Sequence, residues 1–130
     1  MAARTTSRSM NIALWVAQAL LAAFFLLAGW NHGLRPVAEV AQQAKWAADV
    51  PVGLLRFIGF AEIAGAIGVI LPWLTGIRPA LTSLAAAGLA LIMVLAFGFH
   101  IMRGETGIIG MHAVVAAIAI FVASGRRPAA

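Results

Sequence analysis

The sequence has no cysteine. That excludes a disulfide framework, thiol-relay chemistry and cysteine-ligated metal clusters. It is also poor in charge. Only 10% of its 130 residues are Asp, Glu, Lys or Arg, and just four of them are acidic, where a soluble domain carries about 25% charged residues. There is no phosphate-cradling loop, no HExxH or comparable metal-ligand spacing, and no activated nucleophile motif, so nothing announces an enzyme acting on its own and no metal ligands are assigned. Internal repeats and low-complexity tracts are absent too.

What the chain has instead is apolar surface: 63% of its residues are hydrophobic. A fold of this length leaves a large share of its surface exposed and cannot hide that much from water. Lipid must act as its solvent. The net charge of +5 does not mark a nucleic-acid binder, because the basic residues sit at the ends of apolar runs and form no patch interleaved with aromatics. Charges so placed orient a membrane protein.

Four apolar stretches run from about Met10 to Trp30, Val52 to Leu71, Ala80 to Met102 and Ile108 to Ser124. At about 17–23 residues each, they match the length that crosses a hydrocarbon core at 1.5 Å per residue. The first follows Arg4 and Arg8 as a secretory signal would, but its apolar run exceeds a signal core and three further stretches follow. The expected fold is all-α: a membrane protein built as an antiparallel bundle of four transmembrane helices, with a nine-residue N-terminal tail and a C-terminal tail from residue 126 to 130. Arg4, Arg8, Arg78, Arg126 and Arg127 fall on one side with no acidic residue. Arg35, Lys45 and Arg103 fall on the other, balanced by Glu39, Asp49 and Glu105. The positive-inside rule makes the first side cytoplasmic and places both termini there. Trp30 and Trp73 stand at span ends, where interfacial aromatics belong.

Between residues 31 and 51, Pro36 suits a first helical turn. Val37, Val40, Ala41, Ala44 and Ala48 recur at helical spacing opposite Glu39, Gln42 and Gln43, which predicts a short amphipathic helix in the first external connection, on the membrane surface. It is either a linker or a cap on the bundle.

Helices in lipid associate through small residues that let backbones approach. In the second stretch Ala61 with Gly65 and Ala64 with Gly68 have that spacing. The third carries Ala85, Ala86, Ala87, Gly88 and Ala90, so both should pack tightly, against each other or a neighbour, with Phe57, Phe60, Ile63 and Ile67 facing lipid. The same small faces permit a homodimer.

Glu62 is the most informative residue. It lies roughly 15 Å into the second stretch, near mid-bilayer, where a carboxylate costs about 2.5–3.5 kcal/mol to insert. Gly59, Gly65 and Ala66 share its face, so it should point between helices. Gln18, at similar depth in the first stretch, is the expected hydrogen-bond partner. His32, Arg56, His100 and His112 all fall near the outer end, where they should ring a shallow site with Glu62 at its floor. An Arg with histidines suits a quinone carbonyl or an anion. Plainer roles remain open: Glu62 as a clamp between helices, Arg56 and His32 snorkelling to the interface, His100 completing a helix end.

The run Arg56-Phe57-Ile58-Gly59, then Glu62, Gly65, Gly68 and Leu71-Pro72, with Ala28-Gly29 before it and Phe99-His100 and Arg103-Gly104-Glu105 after it, resembles the DoxX-like membrane proteins. The resemblance extends from about Met10 to Arg126. It implies a four-span protein of the bacterial inner membrane. The wider family includes a subunit similar to those of thiosulfate:quinone oxidoreductase and members linked to redox-stress complexes. The resemblance thus implies an accessory subunit of a quinone-linked redox or oxidative-stress system, with quinone as cofactor or ligand and redox proteins as partners. His32 stands where a lysine often follows the Ala-Gly pair. A small transporter of lipophilic solutes and a ligand-free assembly factor are the competing readings.

Overall fold

The computed structural model describes residues 6–128, so Arg4 lies outside the described residues. All regular structure among them is helical: α1 (Arg8–Gly33), α2 (Val37–Gln43), a 3-10 turn (Lys45–Ala48), α3 (Val52–Gly68), α4 (Leu71–Thr75), α5 (Ala80–Met102) and α6 (Ile109–Gly125). Three segments are long and apolar enough to cross a membrane: Arg8–Gly33, Val52–Thr75 and Ala80–Met102. The fourth, Ile109–Gly125, is equally apolar but has 17 residues, about 25 Å of helix against a core of ~30 Å.

Local chemistry sets the ends. Ser7 caps α1 by accepting a hydrogen bond from the Met10 amide at 3.2 Å. α1 then runs three residues past Trp30, the end expected from hydropathy, because His32 and Gly33 continue the helix although they are not apolar. The second apolar stretch is not one uniform helix. Pro72 has no amide hydrogen to give the Gly68 carbonyl, and the chain breaks at Val69 and Ile70 before resuming as α4. The carbonyl of Val69, left free at this break, accepts a 2.6 Å hydrogen bond from Gln18 Nε2. Gly76, with φ 72°, terminates α4 in the left-handed conformation that a side chain would strain.

α1 packs most extensively on α3, and α5 on α6; the α1–α6 and α3–α5 seams are thinner. Glycine decides the first pairing. A Cβ on Gly29 would lie 2.6 Å from Ile63 Cγ1 and 2.7 Å from the Gly59 carbonyl oxygen, and one on Gly59 would run into the backbone of His32 and Gly33. α1 and α3 therefore touch backbone to backbone through Gly29-x-x-x-Gly33 and Gly59. This corrects the expected lipid-facing position of Ile63, which packs on α1; Phe57, Phe60 and Ile67 do point outward. At the α3–α5 seam Gly65 meets the Leu89 side chain and Gly68 meets Ala85. Gly65 and Gly68 thus supply the close approach to α5, while Ala64 is exposed.

A core of Leu21, Phe25, Ala66, Leu89, Met93, Val115 and Val122 joins the four long helices. A smaller cluster of Val40, Ala47 and Leu55 seats the first connection on α3. α2 ends at Gln43, short of the Ala48 expected from periodicity, because Ala44 turns extended before the 3-10 turn. Large aliphatic side chains face outward on every long helix.

Candidate functional site

The helix pairing puts polar groups at two places. One is the end where α1 begins and α6 finishes, called here the terminal end. The other is the end covered by α2 and the 3-10 turn, called the loop end.

At the loop end the last turn of α1 brings His32 to α3. Its Nδ1 lies 2.8 Å from Glu62 Oε2. The glycine contact beside it makes the reach possible, because α1 and α3 could not close on this pair with a Cβ at Gly59. Glu62 is 2% exposed. It is turned into the helix array, as a carboxylate at such depth must be.

Across from it, α5 and α6 carry a second group. His100 Nδ1 is 2.5 Å from Glu105 Oε2, in the turn after α5. Glu105 also accepts from Arg103 Nε at 2.9 Å, and Arg103 reaches Asp49 of the first connection at 2.8 Å. The hydrogen bond from His100, with Arg103 beside it, holds the Glu105 carboxyl below the usual carboxylate range despite the opposing effect of desolvation. His112 packs on His100 with ring centroids 4.9 Å apart and donates from Nδ1 to the Ile108 carbonyl at 2.9 Å. Trp46, in the 3-10 turn, sits between the two groups, 5.2 Å from the His32 ring and 6.0 Å from the His100 ring.

Part of this constellation lines one cavity of about 700 Å³; Asp49, Arg103 and Glu105 stand outside its lining. His32, Glu62, His100 and His112 are all on its wall, which is otherwise overwhelmingly apolar. Val40, Ala44 and Trp46 roof it. Towards the seams its lining becomes outward-facing: Phe57 of α3 is 69% exposed and Leu95 of α5 63%. The way in is therefore sideways, between α3 and α5, whose close contacts at Gly65 and Gly68 lie towards the far end.

Two residues expected here are not part of this wall. Arg56 donates to the carbonyls of His32 and Arg35 at 3.1 and 2.7 Å. It fastens the loose carbonyls after α1, a role any helix end requires. Gln18 is not a partner of Glu62. Besides bonding Val69 it accepts a 2.7 Å hydrogen bond from Arg126 Nε at the terminal end. Gln18 lies level with the helix break at Val69 and not with Glu62.

Arg126 itself departs from its expected place in a solvated tail. It is 1% exposed, bonded to Asn11 Oδ1 at 2.8 Å and stacked on Trp15 and Trp73, 5.3 and 4.6 Å from the ring centroids. Sequence reasoning also missed Glu105 and Trp46 as parts of the site and Gly29-x-x-x-Gly33 as the closest helix contact. The last was readable from spacing; Glu105 stood in the sequence as an external charge and in the Arg103-Gly104-Glu105 run, with nothing to join it to His100. Among the described residues no group of three or more His, Cys, Asp or Glu side chains could hold a metal ion.

The model of the DoxX-like family matches residues 16–122. That is most of the chain, and it takes in both polar clusters apart from Asn11, Trp15 and Arg126. The chain belongs to the DoxX-like family and is a membrane protein. No curated protein and no solved structure matches it.

Proposed function

We propose that this DoxX-like membrane protein binds a quinone or a similar small lipophilic ligand in the loop-end cavity, as an accessory subunit of a quinone-linked redox or oxidative-stress system. The observation that carries this reading is the set of His32 and Glu62 on one wall and His100 and His112 on the other of one apolar cavity, with His100 held from outside the lining by Glu105. Binding sites for lipophilic ligands have this composition: mostly apolar walls and a few placed polar groups that fix orientation. An imidazole backed by a carboxylate can give or take a proton at the far ring nitrogen, which suits a ligand whose oxygens change protonation.

In this reading the four long helices cross the bacterial inner membrane as an antiparallel bundle. Arg8, Arg78 and Arg127 keep the terminal end cytoplasmic, and α2 lies on the outer surface. The short span of α6 is accommodated by local thinning of the bilayer. Glu62 orients the ligand, and His100 and His112 meet it from the other wall. Arg56 supports the site by fixing the chain after α1. The transporter reading needs a second route to Glu62, and the core of Leu21, Val69 and Val122 fills the path from the terminal end.

The test is titration of purified protein in lipid nanodiscs with a decyl-substituted benzoquinone, followed by tryptophan fluorescence. Saturable quenching is expected, strongly reduced in Trp46→Phe. In the same assay run without oxygen, Glu62→Gln should weaken affinity for the hydroquinone form about tenfold, the effect of losing one charge-assisted hydrogen bond of about 1.4 kcal/mol. No saturable binding by the parent protein removes the proposal.

A further inference from the structure

The hydrogen bonds behind each cavity group determine what its free atom can do. A backbone carbonyl only accepts, so the contact with the Ile108 oxygen puts the His112 proton on Nδ1. In the neutral ring Nε2 then has a lone pair and no hydrogen. Glu105 imposes the same on His100. Its carboxyl, kept ionised by His100 and Arg103, has no proton to give, so His100 Nδ1 is the donor. With the two rings stacked, charge on both at once is opposed by repulsion. Neither Nε2 makes a hydrogen bond among the described residues, and both rings line the cavity. On the opposite wall Glu62 uses Oε2 for His32 and leaves Oε1 without a partner among the described residues. A carboxylate oxygen also only accepts. With both rings neutral, the groups that face one another across the cavity, Glu62 Oε1 and the two imidazole Nε2 atoms, are therefore acceptors. The donors of the lining come from the first connection and the end of α1: the Trp46 indole N–H and the amides of Asn31 and Gln43, whose oxygens are held by Arg35.

We infer that the cavity selects a membrane-soluble ligand that brings hydroxyl donors to both walls: a hydroquinone or similar dihydroxy arene, in preference to the carbonyl form of the same skeleton. The inference rests on the reading of this cavity as a ligand site and narrows its ligand class. A quinone would set its carbonyl oxygens against Glu62 Oε1 and the imidazole lone pairs, leaving desolvated acceptors unpaired. A site built to bond a hydroxyl discriminates strongly against the analogue that lacks it. Glu105, which does not touch the ligand, is the positioning residue that fixes which His100 nitrogen faces the cavity.

The experiment is calorimetric titration of the parent protein in nanodiscs at pH 8 without oxygen, with three ligands of one skeleton: decyl-benzohydroquinone, decyl-benzoquinone and the dimethyl ether of the hydroquinone. The hydroquinone should bind at least about tenfold more tightly than either other form, equivalent to about 1.4 kcal/mol. In Glu105→Gln this ratio should shrink, because an amide can donate to Nδ1 and release the His100 proton to Nε2. Equal or tighter binding of the quinone overturns the inference and leaves the ligand site standing. Equal binding of hydroquinone and ether overturns it as well. Binding of none of the three removes the ligand site and the inference together. The ligand comparison in the parent protein decides the matter even if Glu105→Gln folds poorly.

Discussion

At the terminal end, Arg126 is buried among neutral groups: Gln18, Asn11 and the faces of Trp15 and Trp73. At the loop end, Glu62 and Glu105 each meet an imidazole beside open space. Both ends place charge in an apolar helix array, but with different consequences. A guanidinium held by side-chain oxygens and indole faces stays charged, so it serves as a fixed fastener. A carboxylate–imidazole couple is one proton away from another state and leaves a ring nitrogen free for a ligand. Packing follows the same division. The terminal end is filled where Gly68 meets Ala85 and Gly125 meets Leu14, whereas the loop end keeps a cavity between the two helix pairs.

This contrast can be broken at its hinge first. Gly59→Leu should have the largest effect, because its side chain would have to displace the backbone of His32 and Gly33 and so separate α1 from α3. Overpacking by a few atoms costs about 1–3 kcal/mol, and here no flexible side chain can yield. Size-exclusion of the detergent-solubilised variant should show little or no monodisperse protein. A normal profile and an unchanged melting temperature would mean that the backbone contact is not what holds the pair.

Arg126→Ala comes next. It strips partners from Asn11 and Gln18 and removes two cation–π contacts, and should lower stability by about 2–4 kcal/mol in an SDS-unfolding titration. The sharper part of the prediction is selectivity: ligand affinity at the loop end should remain within about twofold of the parent. A large loss of affinity would show that the two ends are not independent.

A smaller, pH-limited effect is expected from Glu105. Its folded-state pKa is depressed, so its contribution is fully present above the ordinary carboxylate value of 4.5 and is lost as pH falls through the lower folded value. The stability difference between the parent and Glu105→Gln should be constant from neutral pH down to that range and shrink below it. A difference that grows on acidification has the wrong sign for this account. Least of all, Asp49→Asn should change the melting temperature hardly at all, since the Asp49–Arg103 pair is largely exposed and such pairs contribute about 0–1 kcal/mol.

Much was legible in advance because it depends on local properties. Hydropathy finds the spans, prolines and glycines find the breaks, and a carboxylate at depth has to turn inward wherever it sits. So the helical, membrane-spanning class, the small helix after Pro36 and the inward Glu62 follow from the amino-acid sequence alone, and the order of motifs indicates the family. Partners do not follow, because a helix of given hydropathy can be rotated and shifted against its neighbours without changing any local property. Gln18 and Glu62 are each plausible at similar depth. Only the register imposed by Gly29, Gly33 and Gly59 gives Glu62 to His32 and leaves Gln18 for Val69 and Arg126. By the same logic a terminal arginine reads as a solvated tail until α6 packs beside α1. Contacts separated by 30, 51 and 108 residues exist only once the helices are packed together, and the cavity between them exists only then as well.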